Sequence, residues 1–157
     1  MQGDQSIIDL LNEVLTAELT AVNQYFLDAK MLDNWGYEGL AKKVRDASFD
    51  EMRDAEALID RILYLDGHPN LQRLGTLLIG ESPAEKLEAS AALERTAIDR
   101  LNAAVELAVS LHDNGSRELF AKMLVGEEDH LDWIETQLHL IAELGEKAYL
   151  AEQLRSS

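Results

Sequence analysis

Cysteine is absent from the 157-residue chain, which excludes disulfides, thiolate metal sites and cysteine nucleophiles. Proline is nearly absent too: Pro69 and Pro83 are the only two, both in or beside one segment. Basic residues are scarce, 14 Lys and Arg against 30 Asp and Glu, for a net charge of −16. That balance argues against nucleic acid, whose phosphates need a basic patch, and against anionic membrane surfaces. It is compatible with attracting cations, although an acidic surface also serves plain solubility. No apolar run approaches the roughly 20 residues of a membrane span. The start, MQGDQSIIDLLNE, has neither a basic n-region nor an apolar h-region. The expectation is a soluble cytoplasmic protein, folded as one domain over residues 1–157 with a sizeable core.

What is present is Ala, Leu and Glu in helical periodicity, with no surviving strand alternation. A first helix is expected over about residues 5–33, with the stripe Leu11, Val14, Glu18, Val22, Tyr25, Ala29. A second is expected over about 39–65, with Val44, Ala47, Glu51, Asp54 and Ala55, Leu58, Ile62, Leu65. Gly67 and Pro69 follow its stop. Residues 66–82 are the longest segment without helical pattern. Their leucines are expected to pack along the bundle as a crossover, which makes helices two and three parallel. The fold class expected is therefore all-α, a ferritin-like four-helix bundle (about 5–144) with a long crossover between helices two and three. The third helix opens on a capping box, Ser82, Pro83 and Glu85. Its stripe is Leu87, Glu94, Ile98, Leu101, Val105, Ala108. The fourth, capped by Ser116, runs to Leu144 with the stripe Phe120, Met123, Glu127, His130, Ile134, Leu138, Ile141. A short fifth C-terminal helix is expected at about 146–155.

Each stripe carries polar intruders where leucine belongs: Glu18, Glu51 with Asp54, Glu94, and Glu127 with His130. The pairs at i and i+3 share a helix face. Glu128 competes with Glu127 but is turned about 100° away. All lie near mid-helix, so they can meet at one level. Five carboxyls and an imidazole cannot gather in a core as bare anions, whereas two divalent cations would nearly balance them. Hard oxygen donors with imidazole suit iron or manganese, with zinc also open. The set matches, rather than derives, a known plan of ferritin-like bundles: one Glu from each of two helices and Glu-x-x-His from each of the others. In that plan Glu18 and Glu94 are terminal ligands, Glu51 and Glu127 bridge, and His130 binds one metal. Asp54 stands where the plan has His. It can ligate directly, reach the metal through water, or leave a weak site. Gly126, mid-helix, either makes room for a close approach or has no role.

In order along the chain, MQGD, ELTAVNQYFL, DNWG, FDEMRDAEALIDRIL, GHPNLQRLG, EEDHLDWIETQL and GEKAYLAEQL resemble the bacterioferritins, the haem-containing ferritins of bacteria. The resemblance covers essentially the whole chain. It implies a hollow cage of twenty-four chains that oxidises Fe(II) at a di-iron centre and stores ferric mineral. It implies ferroxidase ligands at Glu18, Glu51, Glu94, Glu127 and His130, with Asp54 departing from the family's histidine. It implies haem b at a two-fold interface, with Met52 as axial ligand. From its place beside the second helix's core stripe alone, Met52 reads as a dimer-contact filler; the resemblance is what favours haem. Tyr25 lies on the Glu18 face; in related centres such a tyrosine hydrogen-bonds a ligand or supplies an electron, and a core tyrosine with one hydrogen bond is the equal alternative. Asp46 and Asp50 read as a solvated face or a mineral-nucleating one. His68, His112 and His139 read as surface or capping residues, Trp35 and Trp133 as packing or interface residues. The partners implied are further copies of the chain, a second bacterioferritin chain in a mixed cage, and a reductase or ferredoxin for iron release.

Iron storage with ferroxidase activity is the leading expectation. The alternative is a non-catalytic haem and storage subunit of a mixed cage, kept open by Asp54. A rubrerythrin-like oxidase and a metal-free bundle rank below both, since cysteine is missing and the buried carboxyls would be unexplained.

Overall fold

The computed structural model describes residues 1–154. Its elements are α1 (Gln5–Asn34), α2 (Glu38–Tyr64), α3 (Pro83–Ser110), α4 (Asn114–Leu144) and α5 (Glu146–Ala151). Residue 155, in the expected fifth helix, lies outside the described residues. Helices α1 and α2 form one packed hairpin, α3 and α4 the other. A crossover without helix spans residues 65–82 between them.

The helix boundaries follow from capping. Asp4 accepts from Ser6 N at 2.8 Å to start α1. Ser82 Oγ accepts from Glu85 N at 3.1 Å. Glu85 reaches back to Glu81 N at 2.7 Å rather than to Ser82 N, so the box closes one residue early. The fourth helix is capped by Asp113, not by Ser116. Asp113 Oδ1 accepts from Ser116 N at 3.0 Å, and Ser116 is fully buried. Arg61 of α2 donates to Asp113 at 2.7 Å and to Ser116 Oγ at 3.0 Å. These bonds hold Asp113 ionised: burial alone would raise its pKa, but the bonds from Ser116 and Arg61 lower it on balance. At the end of α2 the left-handed residue is Asp66, at φ 60°. Gly67 is required for a different reason, because a Cβ there would stand 2.7 Å from Ile8.

Two apolar clusters fill the bundle, one on each side of the polar level. The first holds Ile7, Leu11, Leu15, Leu58, Ile62, Leu101, Ala108, Phe120 and Met123. The second holds Ala21, Tyr25, Ala29, Leu32, Leu40, Ala41 and Val44, with Leu87, Ala91 and Ile134 forming a smaller group at that end. The buried stripe of α1 runs through Ala21 and Asp28. Val22, expected on it, is only half-buried.

Past Leu65, which belongs to the core, the crossover packs little through its leucines. Leu71, Leu74, Leu78 and Ile79 are each more than half exposed. Polar groups of α1 hold its backbone instead. Asn12 donates to His68 O at 3.1 Å and accepts from Asn70 N at 2.8 Å. Thr20 Oγ1 accepts from Gly75 N at 2.8 Å. Gln24 accepts from Leu78 N at 2.6 Å and donates to Leu78 O at 2.7 Å. Gln24 also donates to Asp28, which pairs with Lys86 Nζ at 2.9 Å, both side chains being at most 2% exposed. This buried pair joins α1 to the first turns of α3.

Lys86→Ala leaves Asp28 buried without its cation and should cost about 3–5 kcal/mol, read by chemical denaturation. The double variant Asp28→Leu/Lys86→Met should recover most of the loss. A single variant as stable as the parent would sink the role given to the pair.

Candidate metal centre

The register of the four helices carries their intruders to one level between the apolar clusters. Glu18, Glu51, Glu94 and Glu127 are each at most 5% exposed. Two groups of four ligand atoms form there, and within each group all atoms lie within 4.8 Å of one another. One group is Glu18, Glu51, Asp54 and Glu127; the other is Glu51, Glu94, Glu127 and His130. Glu51 and Glu127 belong to both. Asp54 thus offers an oxygen to the first group where His130 offers a nitrogen to the second. Glu128 and Asp129 are exposed and belong to neither.

Without a cation the cluster shares protons. Burial pushes Glu18 and Glu51 well above the usual carboxylate range, and the neighbouring carboxylates add to it. Burial and the hydrogen bond to Glu94 push Glu127 up in the same way. Glu94 goes the other way. Burial would raise it, but hydrogen bonds with His130, Glu127 and Tyr25 outweigh burial and lower it. His130 Nδ1 lies 3.1 Å from Glu94 Oε1, and Tyr25 donates its hydroxyl proton to the same oxygen. Asp54, less enclosed, is raised to about 6 by burial and by Asp50, with Lys122 and Arg53 pulling it down. One oxygen each of Glu18 and Glu94 is buried with no hydrogen-bond partner among the described residues. Such an orphan costs about 1–3 kcal/mol or more when charged, and a hard cation removes the cost.

Tyr25, fully buried, meets the His130 ring edge-on at 5.2 Å. Trp133 stacks near-parallel to that ring, centroids 6.2 Å apart and planes at 15°. Sequence reasoning treated Trp133 as a packing or interface residue; its i+3 spacing from His130 was the available signal. Asp28 and Lys86 were missed altogether, although Lys86 lies eight residues before Glu94 on the same face. Gly126 makes no close approach, since nothing lies within 4 Å of a Cβ built there. Met52 is 46% exposed on α2, away from the cluster, with half-exposed Phe49 one turn before it. Asp46 and Asp50 are exposed.

Two hairpins, a long crossover and a mid-bundle carboxylate cluster define the ferritin-like class. The model of the ferritin-like domain family matches residues 8–144. The chain is 50% identical over 152 residues to bacterioferritin BfrA of Mycobacterium tuberculosis, covering 97% of this chain and 96% of that one. It is 53% identical over 151 residues to a bacterioferritin of Streptomyces coelicolor, covering 96% and 90%. The solved structure of Mycobacterium tuberculosis bacterioferritin BfrA superposes with a TM-score of 0.97 at 49% identity, covering 99% of this chain and 98% of that one. The chain belongs to the bacterioferritins.

The raised carboxylates fix the pH dependence of the metal-free chain. A group with a raised folded pKa binds more protons folded than unfolded, so stability falls as pH rises. The fall begins near the unfolded carboxylate values, about 4, and continues through about 6 for Asp54. It runs higher still for Glu18, Glu51 and Glu127. Thermal unfolding of the metal-stripped protein should show this decline, flattened in Glu127→Gln and offset by divalent cations. A slope unaffected by Glu127→Gln would contradict the assignment.

Proposed function

We propose that the chain is an iron-storage subunit that oxidises Fe(II) at a dinuclear centre of Glu18, Glu51, Asp54, Glu94, Glu127 and His130. The observation that carries this is the sharing of Glu51 and Glu127 between two four-atom groups, which is what two bridged cations need. Membership of the bacterioferritins supports iron storage as the broad role. Two Fe(II) ions are the substrate. On entering they displace the protons that burial keeps on Glu18, Glu51 and Glu127. Each iron gives up one electron, dioxygen or peroxide takes them, and carboxylate donors favour the ferric product. Tyr25, bonded to Glu94, orients that terminal ligand and stands beside the centre as an electron donor. The ferric product passes into the interior of a cytoplasmic cage of twenty-four chains, each one ferritin-like domain, and a reductase or ferredoxin releases it.

Titration of Fe(II) into the metal-stripped oligomer in air should give a fast oxidation phase that saturates near two irons per chain. Glu51→Gln or Glu127→Gln removes a bridge worth several kcal/mol of charge stabilisation and should slow that phase by about 100-fold. Asp54 motivates a second reading, a storage subunit that relies on another chain for oxidation. No fast phase in the parent, and its appearance in Asp54→His, would replace the first reading by the second.

Haem is the other group the family implies. The donor set fits: Met52 offers a thioether, half exposed beside the exposed ring of Phe49. Met52 from each of two chains would ligate haem b across a two-fold axis, where haem supplies one-electron redox chemistry. Met52→Leu should abolish the haem Soret band on reconstitution; a band of parental intensity would remove Met52 from that role.

A further inference from the structure

The start of α4 carries a reactive pair that neither the metal centre nor the packing uses. Asn114 is followed by Gly115, and no other asparagine of the chain precedes a glycine. Both residues are exposed. The side-chain amide of an asparagine in this setting is open to attack by the backbone nitrogen of the glycine, because no Cβ shields that nitrogen. Glycine is held at 115 by the contacts that anchor α4. Its φ is not left-handed, so the backbone does not demand it. Arg61 does. A Cβ at Gly115 would stand 2.6 Å from one guanidinium nitrogen of Arg61 and 2.7 Å from another. That guanidinium cannot swing aside without losing Ser116 Oγ at 3.0 Å and Asp113 at 2.7 Å. The bonds that fix the helix thus impose the residue that leaves Asn114 labile.

Both reacting groups are also prepared. The Gly115 N–H has no acceptor among the described residues: the Asp113 carboxylate accepts from Ser116 N, and the Asp113 carbonyl accepts from Arg117 N. Arg117 Nε donates to Asn114 Oδ1 at 3.3 Å. That contact polarises the amide carbonyl and faces the oxygen on which negative charge develops during attack. The chain's one Asp-Gly pair, Asp66–Gly67, differs at the nucleophile. Its Gly67 N–H is tied to Ile62 O at 2.9 Å.

We propose that Asn114–Gly115 is a self-modification site, at which Asn114 loses ammonia with Arg117 assisting and no enzyme taking part. The Gly115 nitrogen forms a bond to Asn114 Cγ while the Cγ–Nδ2 bond breaks. The proton given up by Gly115 leaves with Nδ2 as ammonia, and a five-membered succinimide remains. Water then opens the ring. Addition at Cγ gives aspartate at 114, and addition at the backbone carbonyl gives isoaspartate, whose main chain is one carbon longer. No electrons are exchanged, and water is the only co-reactant. Ring closure requires Asn114 to leave its helical ψ, which is easiest at the fraying end of a helix. The aspartate product places its charge at the N-terminal end of α4, where the helix dipole favours an anion. The isoaspartate product lengthens the chain between the Asp113 cap and Ser116, and so loosens the grip of Arg61 on both.

The site lies outside the carboxylate cluster and does not depend on whether the centre oxidises iron. The test is prolonged incubation of the assembled full-length protein at neutral pH, followed by peptide mass spectrometry that separates aspartate from isoaspartate. The peptide holding Asn114 should gain the mass of O exchanged for NH well before those holding Asn12, Asn23, Asn34, Asn70 and Asn102. In the folded protein Arg117→Gln should slow the gain by about fivefold, less than the loss of a buried oxyanion donor because the contact is long and exposed. In the urea-unfolded chain the same substitution should have little effect. Arg117→Lys should recover part of the folded-state rate. Circular dichroism and sedimentation establish that each variant is folded and assembled. If Arg117→Gln assembles poorly, Arg117→Lys against the parent carries the comparison. No mass gain at Asn114, a gain no faster than at the other asparagines, or a folded-state rate indifferent to residue 117 would overturn the proposal.

Discussion

Everything in this bundle answers to the burial of five carboxyls and one imidazole at a single level. Bare anions at that density are untenable in a core. The chain meets the constraint in two ways. Protons stay on Glu18, Glu51 and Glu127, while the ionised Glu94 gathers His130 and Tyr25 around it. Apolar clusters above and below then carry the packing. The polar belt itself contributes little to holding the fold. It stores an electrostatic demand that a pair of cations would satisfy, which would link occupancy to stability.

Rigidity of the belt comes from devices outside it. The Arg61–Asp113–Ser116 knot fixes the start of α4 against α2. The buried Asp28–Lys86 pair fixes α1 against α3. Tyr25 edge-on and Trp133 stacked both pack against the His130 ring. A ligand set drawn from four helices needs their register set to a fraction of a turn. Polar contacts specify register more sharply than interchangeable leucines do.

Helices, their order and the level at which the carboxylates meet were legible in the sequence, because periodicity of 3.6 marks which residues share a face. Glu127 was separable from Glu128 on that basis alone. The failures have physical causes. Val22 and Ala21 differ by 100° around α1, a difference that a stripe of small residues does not resolve. The crossover's leucines suggested packing, yet its backbone is held by side chains of Asn12, Thr20 and Gln24, and hydrogen bonds to main chain leave no periodic trace. Asp28 and Lys86 lie 58 residues apart, and nothing local announces a long-range ion pair. The cap of α4 was misplaced because Asp113, Asn114 and Ser116 are all competent caps, and only the approach of Arg61 selects Asp113.

Asp54 decides what the belt can do. With an imidazole at that position, four carboxylates would neutralise two divalent ions. With Asp54 ionised, five carboxylates would leave one negative charge over two Fe(II) and one positive charge over two Fe(III). In the proposed centre the extra carboxylate would therefore shift the balance toward an oxidised pair, since anionic oxygen donors stabilise the higher charge more. The cost falls on the metal-free state, where Asp54 adds charge to a crowded site, and its partial exposure with Lys122 and Arg53 nearby keeps that cost low. A shorter side chain is tolerable there because an oxygen of Asp54 still falls within the span of the other three ligand atoms. Asp rather than His at this position would thus change the electrostatics of a metal centre without emptying the position.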